Sequence, residues 1–211
     1  MGDLLIRRRI MQRLEGEPVP VPYGNAMTTA TTTAVYYDTP ILMPTGSQVI
    51  IDCQLNYSTG GYGSGYNFFY FINSTNNGII GRQSNDNNIR YRYSTVGSYY
   101  SSSAKFGSKT VTCIHMKPAD KTFTLTFSDG TTIDSTQGRP NDTWLARTGT
   151  NTLRMHLKKN FYVKRIRQIN TGDVLVHDII PAKCGSKIGF LDVVTDTFYD
   201  CTDGDFTITT I

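Results

Sequence analysis

Apolar and polar residues alternate in short runs along most of the chain, which is the pattern of half-buried β-strands. In the clearest run, Gln48 to Leu55, the odd-numbered positions are apolar and most of the others are polar. The segments 89–93, 111–115, 122–127 and 153–158 alternate similarly, with Leu153, Met155 and Leu157 inward, while 67–72 is almost continuously apolar. No helical period follows residue 14. The pattern predicts an all-β protein built as a two-sheet antiparallel sandwich.

Turn chemistry separates the strands most regularly between Phe161 and Phe206. Predicted turns lie at residues 170–173, at Pro181, and at residues 185–186, 195–196 and 203–204. Such spacing is typical of short antiparallel strands with tight connections. A further turn at Asp129-Gly130 predicts a hairpin into residues 131–133.

The same carboxy-terminal stretch resembles the closing signature of concanavalin A-like (LamG-like) jelly-roll domains. The residues that carry the resemblance are Gly172, Leu175, Val176, Asp178, Ile180, Pro181, Gly189, Asp192, Val194, Phe198 and Tyr199, with Tyr36 to Thr39 and Gly81-Arg82 upstream. It covers about residues 35–211. The resemblance implies a jelly-roll sandwich of a kind associated with virion proteins of tailed phages that infect gut bacteria, although this fold carries many functions.

The amino-terminal segment has a different pattern. Asp3 can cap a short helix up to Leu14, and the residues that would anchor it to a larger assembly are Leu5, Ile6, Arg7, Arg8, Arg9, Ile10 and Arg13. A helix this short is marginal alone, so it either docks on a partner or frays in solvent. Prolines 18, 20 and 22 then predict a stiff spacer, and residues 27–34 form either a linker or an edge strand. We therefore divide the chain into an anchor helix with an extended arm, residues 1–33, and a jelly-roll domain, residues 34–211.

Charge and hydropathy exclude several classes of partner. The formal charge of +4 comes without a dense basic tract interleaved with aromatic residues, which disfavours nucleic acid. The apolar run before the arginines is too short for a secretory signal or a membrane span. The expectation is synthesis in a host cytoplasm without a signal peptide and without membrane insertion, and the resemblance implies a final location in the virion.

The cysteine spacing argues against a metal site. Cys53 and Cys113 are in phase with apolar strand positions and are expected to be buried free thiols, and the chain contains no C-x-x-C pair. Cys184 and Cys201 bracket a segment that can fold back as a hairpin, so they either pair or stay free. The acidic residues 200–205 indicate a turn more than a calcium loop.

Catalytic chemistry is sparse. Glycosidases with this fold use paired acidic side chains, yet the only glutamates, Glu15 and Glu17, precede the sandwich. The carboxy-terminal aspartates, which are Asp192, Asp196, Asp200, Asp203 and Asp205, fall largely in turns where solvation explains them. His115 is in phase with a core face, His156 and His177 suit surface or boundary positions, and no G-x-S-x-G motif is present. The expectation is a protein that is not an enzyme and needs no cofactor.

Recognition of sugars has better candidates. Exposed aromatic rings in polar or glycine-rich surroundings can stack on glycans, and the candidate contacts are Tyr62, Tyr66, Tyr99, Tyr100 and Trp144.

The leading hypothesis is a non-enzymatic virion structural protein, a capsid decoration or head-fibre module, which is tethered to other virion proteins by its arm and forms a homo-oligomer. The alternative is a carbohydrate-binding adhesin or tail receptor-binding protein that recognises a bacterial surface polysaccharide.

Overall fold

A computed structural model describes most of the chain. The described residues are 16–30, 35–42, 47–56, 67–71, 78–83, 88–91, 100–105, 109–117, 122–136, 152–157, 161–201 and 205–211. For the described strand residues between 67 and 105, and for a few other strand positions, only the backbone is described. All regular structure in these ranges is β-strand, which confirms the all-β prediction. The predicted helix over residues 3–14 lies outside them.

Seventeen strands follow one another along the described chain. They are β1 (Val19–Pro20), β2 (Asn25–Thr29), β3 (Val35–Leu42), β4 (Gln48–Asn56), β5 (Asn67–Phe71), β6 (Gly78–Gln83), β7 (Asn88–Tyr91), β8 (Tyr100–Lys105), β9 (Thr110–Lys117), β10 (Thr122–Phe127), β11 (Thr132–Thr136), β12 (Thr152–Leu157), β13 (Phe161–Asn170), β14 (Val174–Cys184), β15 (Lys187–Asp192), β16 (Thr197–Asp200) and β17 (Phe206–Thr210).

The strands form two antiparallel sheets. The large sheet has the order β11-β10-β9-β4-β13-β14-β15-β16, with β1 on β14, β2 on β13 and β17 on β2. The small sheet has the order β3-β12-β5-β6-β7-β8. Because Tyr37, Ile41, Met155 and Leu157 of the small sheet share one buried cluster with the large sheet, the two sheets enclose a common core, as in a β-sandwich.

The periodicity of the sequence accounts for much of this core. Along β4 every second residue is buried, from Val49 to Leu55, as the alternation predicts. Met155 and Leu157 are also buried as predicted. Between the sheets the Tyr37 ring stacks on Phe190 with centroids 4.5 Å apart and an interplanar angle of 24°.

A β-bulge makes the predicted phase of β9 wrong. Cys113 and His115 were expected on the core face, but Ile114 and Met116 are the buried residues there. The register against β10 shifts between Thr126 and Phe127, since β9 carries an extra residue at that point. His115 therefore lies half-buried on the outer face, where its Nε2 is 2.7 Å from Gln48 Oε1.

Part of the amino-terminal arm belongs to the large sheet. Strand β2 pairs with β13 on one side and β17 on the other, and Ala26 and Met27 are fully buried. The sequence left two possibilities open for this segment, a linker or an edge strand. Because β2 has a partner strand on each side, it is neither. The predicted boundary between residues 33 and 34 stays a prediction, because residues 31–34 lie outside the described part.

Strand β14 runs straight through the turn that was predicted at Pro181. Its first half pairs with β13 up to Ile179, and its second half pairs with β15. Where β13 leaves, β1 takes its place, pairing at Ala182 and Lys183 while the Val21 amide donates to the Pro181 carbonyl at 3.1 Å. Pro181 is tolerated because the missing amide falls where β14 changes partners.

The two ends of β14 define two ends of the large sheet. The arm end contains the β14–β15 turn, residues 185–186, and Gly16, whose carbonyl accepts a hydrogen bond from the Cys184 thiol at 3.1 Å. The opposite end, called the valine end below, contains the β13–β14 turn, residues 171–173, and the β15–β16 turn, residues 193–196. The turns at residues 128–130, 171–173, 185–186 and 193–196 confirm the sequence predictions at those places.

Cys184 and Cys201 are both buried free thiols. Strand β15 lies between the strand that carries Cys184 and the one that precedes Cys201, so the two backbones are about 10 Å apart. A disulfide requires Cα atoms closer than about 7 Å. The structure therefore selects the free-thiol alternative for this pair.

Gly189 marks a close approach between β15 and β16. A Cβ atom at this position would clash with the backbone carbonyl of Tyr199 and lie 2.8 Å from the Phe198 ring. Only glycine permits this spacing.

We expect Gly189→Ala to lower the free energy of unfolding by about 3 kcal/mol, because strand backbone must move to admit the methyl group. The measurement is urea denaturation followed by circular dichroism. Gly172→Ala is the matched control: its φ of 82° is unfavourable for alanine, but no heavy atom lies within 4 Å of the added Cβ. The control should cost only about 1 kcal/mol, and equal losses for both variants would refute the proposed clash.

Candidate functional site: the Asp192 carboxylate and the valine end

A buried carboxylate organises the valine end. Asp192, the last residue of β15, is 0 % exposed. Its Oδ2 accepts hydrogen bonds from His177 Nδ1 at 2.6 Å and from Thr195 Oγ1 at 2.8 Å. Its Oδ1 accepts from the backbone amides of Asp178 at 3.0 Å and Val194 at 3.2 Å. One side chain thus ties β14 to the β15–β16 turn.

Hydrogen bonding keeps this carboxylate ionised. Burial alone would raise the pKa of Asp192, but the hydrogen bonds from His177, the Asp178 amide and Thr195 together lower it below the usual value. Because Nδ1 of His177 donates to the carboxylate, Nε2 is the ring nitrogen left free to contact another group. The His177 side chain is 20 % exposed, and Nε2 has no partner among the described residues.

Tyr37 and Tyr199 lie in the electrostatic surroundings of Asp192, and Tyr37 also interacts with the Cys201 thiol. Burial raises the pKa of Tyr37 well above its usual value, with further contributions from Cys201, Tyr199 and Asp192. Burial also raises the pKa of the Cys201 thiol to about 12. A thiol with that pKa stays protonated at neutral pH and is a poor nucleophile. The cluster therefore holds an acid–base pair, without an activated nucleophile among the described residues.

The prediction for Asp192 was wrong. It was grouped with turn aspartates that solvent would explain, whereas the structure buries it completely. Asp196, Asp200 and Asp205 are exposed, as expected, and Asp203 lies outside the described residues. The spacing Asp192-x-x-Thr195 before a turn was the available signal, because aspartate in that position often accepts bonds from the next backbone amides.

An ion-pair network on the outer face supports the same strands. Arg165 binds Asp178 with two hydrogen bonds, of 2.6 and 2.7 Å, and Arg167 binds Asp52 at 3.0 Å. The hydrogen bond to Asp178 raises the pKa of Arg165. These pairs link β4, β13 and β14, and they hold the residue whose backbone amide donates to Asp192.

Apolar side chains are exposed beside two turns at the valine end, in the first two residues of β14 and in the first two residues of the β15–β16 turn. Val174 is 56 % exposed, Leu175 40 %, Val193 51 % and Val194 47 %. We call these four residues the valine patch. Val193 is held in place by its amide, which donates to the Asp178 carbonyl at 2.8 Å. Exposed apolar residues grouped in this way mark interaction surfaces more often than isolated ones do.

Two aspartates border the valine patch. Asp173 and Asp196 are exposed turn residues with φ angles of 59° and 51°. Neither has an ion-pair partner in the described part of the chain. Sequence reasoning missed this surface because apolar residues beside a turn look like the beginning of a buried strand. The useful signal was that Asp173, a predicted turn residue, directly precedes Val174 and Leu175 in the sequence.

Most of the predicted contact residues lie outside the described part of the chain. Tyr62, Tyr66, Tyr99 and Trp144 lie outside the described residues, as do the anchor candidates Leu5, Ile6, Arg7, Arg8, Arg9, Ile10 and Arg13. Tyr100 begins β8 opposite Tyr91, but its side chain is not described. Tyr23, which was not predicted as a contact, is fully exposed in the turn between β1 and β2.

Within the described ranges, no group of three or more His, Cys, Asp or Glu side chains is arranged to hold a metal ion. The same ranges contain no helix with the length and hydropathy needed to cross a membrane. No protein-family model, curated protein or solved structure matches the chain.

We expect Asp192→Asn to lower the free energy of unfolding at pH 7 by about 3 kcal/mol, because a neutral amide cannot accept all four hydrogen bonds. The lowered pKa of Asp192 in the folded state sets the pH dependence. The carboxylate stabilises the fold fully above its unfolded pKa of about 3.9, and the effect is lost as pH falls through the lower folded value.

Urea denaturation of both proteins at pH 7 and near pH 3 measures this difference. The gap between wild type and Asp192→Asn should narrow at acid pH. Asp196→Asn, on the exposed turn, is the control and should change stability by less than about 0.5 kcal/mol. A gap that stays constant with pH would show that Asp192 is not ionised in the fold.

Proposed function

We propose that the chain is a non-enzymatic structural protein of a tailed-phage virion, a capsid decoration or head-fibre module with a jelly-roll fold. In this proposal a short amino-terminal helix tethers the module to the particle. The observation that carries it is the route of the arm: β1 and β2 are hydrogen-bonded into the large sheet, and the chain upstream of Gly16 leaves from one end of it.

This route suits a tether. A tether joined to its domain by a flexible linker would not fix the orientation of the domain. Here the residue next to the proposed helix is fixed by strand pairing at Val19 and by the Cys184 hydrogen bond to Gly16. A particle that holds residues 1–15 would therefore also orient the sandwich, with its valine end pointing away. The resemblance of residues 35–211 to phage jelly-roll domains points to a virion as the assembly.

The chemistry of the described residues supports a role without catalysis. The His177–Asp192 pair has the geometry of an oriented base, but the nearby Cys201 thiol stays protonated and the Asp192 carboxylate is fully occupied by hydrogen bonds. These groups stabilise turns that present the valine patch. The proposed role of the site is accordingly to shape a surface.

Deleting residues 1–15 should abolish incorporation of the protein into phage particles. The measurement is mass spectrometry of density-purified particles that were assembled with either the full chain or the deletion variant. The triple variant Arg7→Glu, Arg8→Glu and Arg9→Glu keeps the length and reverses the charge, and it should reduce incorporation similarly. Val19→Ser, which alters an exposed residue of β1 (62 %), is the control. Full incorporation of the deletion variant would refute the tether, and absence of the full chain from particles would refute the virion role.

A second candidate function is recognition of a bacterial surface polysaccharide. The observation that favours it is Tyr23, whose ring is fully exposed beside Gly24 and Asn25. An open aromatic face next to polar groups is a common sugar contact. The same exposure is also suited to a protein contact.

A glycan array that includes capsular and cell-wall polysaccharides tests this candidate. We expect binding that falls at least about tenfold in Tyr23→Ala, since stacking supplies about 1.4 kcal/mol. Tyr162→Ala, at a half-buried strand position, provides a tyrosine control. A flat array response would remove the lectin function.

A further inference from the structure

We propose that copies of this chain associate head to tail, with the amino-terminal segment of one copy, residues 1–15, bound to the valine patch of the next. The inference rests on the proposed function, because it names what the tether binds within the assembly. It starts from two surfaces at opposite ends of the large sheet: the exit of the arm and the valine patch.

Complementary chemistry is the first argument. The patch presents four exposed apolar side chains bordered by the carboxylates of Asp173 and Asp196. The segment 1–15 combines an apolar stripe with four arginines, and after subtracting Asp3 and Glu15 its side chains carry a formal charge of +2. The amino-terminal segment carries arginines beside its apolar residues, and the valine patch carries aspartates beside its own. The two surfaces are therefore complementary in charge and both contain apolar residues.

The dimensions also match. Val193 bonds Asp178, which is four residues along β14 from Val174, so the patch extends for about 13 Å along the strand. The predicted helix from Asp3 to Leu14 would be about 18 Å long. Its stripe of Leu5, Ile6, Ile10 and Leu14 is therefore long enough to span the distance from Val174 to Val193.

Reach decides between one copy and two. Gly16 is fixed beside Cys184, and Val174 lies ten residues away along β14, a distance of about 33 Å. As a helix, the stripe begins at Leu14, which is two residues or at most about 7 Å from Gly16, and Leu5 lies nine residues or about 14 Å further along the helix. The helical stripe therefore ends at most about 21 Å from Gly16 and cannot reach Val174 of its own copy, so we assign the patch to a second copy.

The consequence is a heterologous contact, in which two different surfaces meet. Such contacts repeat until a ring closes or a filament grows. The end copy of the row would leave one amino-terminal segment for another component of the particle.

The test uses the full chain and measures molar mass by light scattering over a range of concentrations. Wild type should exceed the 23.6 kDa of one chain and rise in mass with concentration. The double variant Val174→Ser, Val194→Ser should weaken self-association at least about tenfold, since two apolar contacts are lost. Val19→Ser at the arm end is the matched control and should associate like wild type.

Mixing two defective variants gives the decisive result. The patch variant keeps its amino-terminal segment, and the variant Arg7→Glu, Arg8→Glu, Arg9→Glu keeps its patch. Each should be monomeric alone, and the mixture should form a dimer of one copy of each, which grows no further. An interface in which the patch meets a second patch would not be rescued in this way, and a reciprocal two-fold dimer would stop at two copies in the wild type.

Charge can be tested separately. Asp173→Asn with Asp196→Asn removes both carboxylates and retains residues that tolerate positive φ. This variant should associate more weakly than wild type and show less dependence on salt.

Three outcomes would overturn the inference: a monomeric wild type at about 100 µM, equal losses in the patch variant and in Val19→Ser, or no dimer in the mixture. Loss of particle incorporation on deletion of residues 1–15, together with a monomeric wild type, would leave the proposed function standing without this contact. Circular dichroism of every variant confirms that the fold is retained.

Discussion

The exchange of partners along β14 is the constraint on which the rest of the molecule depends. One strand pairs with β13 at its start, with β15 at its finish, and with β1 where β13 has left. Because β14 is continuous through Pro181, the arm and the β15–β16 hairpin are held in one frame. If the strand broke at Pro181, as its proline suggests, nothing would fix the separation of the arm end from the valine end.

Asp192 fixes the shape of the surface at the valine end. A carboxylate without exposure is costly unless its hydrogen bonds are satisfied, and here two backbone amides, a hydroxyl and an imidazole satisfy them. The bonds converge from β14 and from the turn after β15, so they fix the turn that exposes Val193 and Val194. A turn held this way loses little conformational freedom when a partner binds, which favours affinity.

The sequence predicted the positions of the strands better than it predicted which strands pair with each other. Alternation located β4 and its buried residues because each inward side chain repeats every second position. It failed at Cys113 and His115, since a bulge reverses the phase without a marker in the local pattern. It could not foresee that β2 lies between β13 and β17, because a threonine-rich segment pairs according to distant strands. The Asp192 cluster was missed for the same reason: His177 and Asp192 meet only through the register of β14 on β15.

Two groups of carboxylates in the described part of the chain respond differently to salt. Asp192 and Asp178 are buried, where screening by salt is weak, although the Arg165 side chain that pairs with Asp178 is 44 % exposed. Asp173 and Asp196 stand in solvent at the valine end, where screening is strong. Ionic strength can therefore act on contacts made by the valine end while leaving the sheet that carries it intact. We therefore expect the fold to be retained at salt concentrations that weaken the proposed contact between copies.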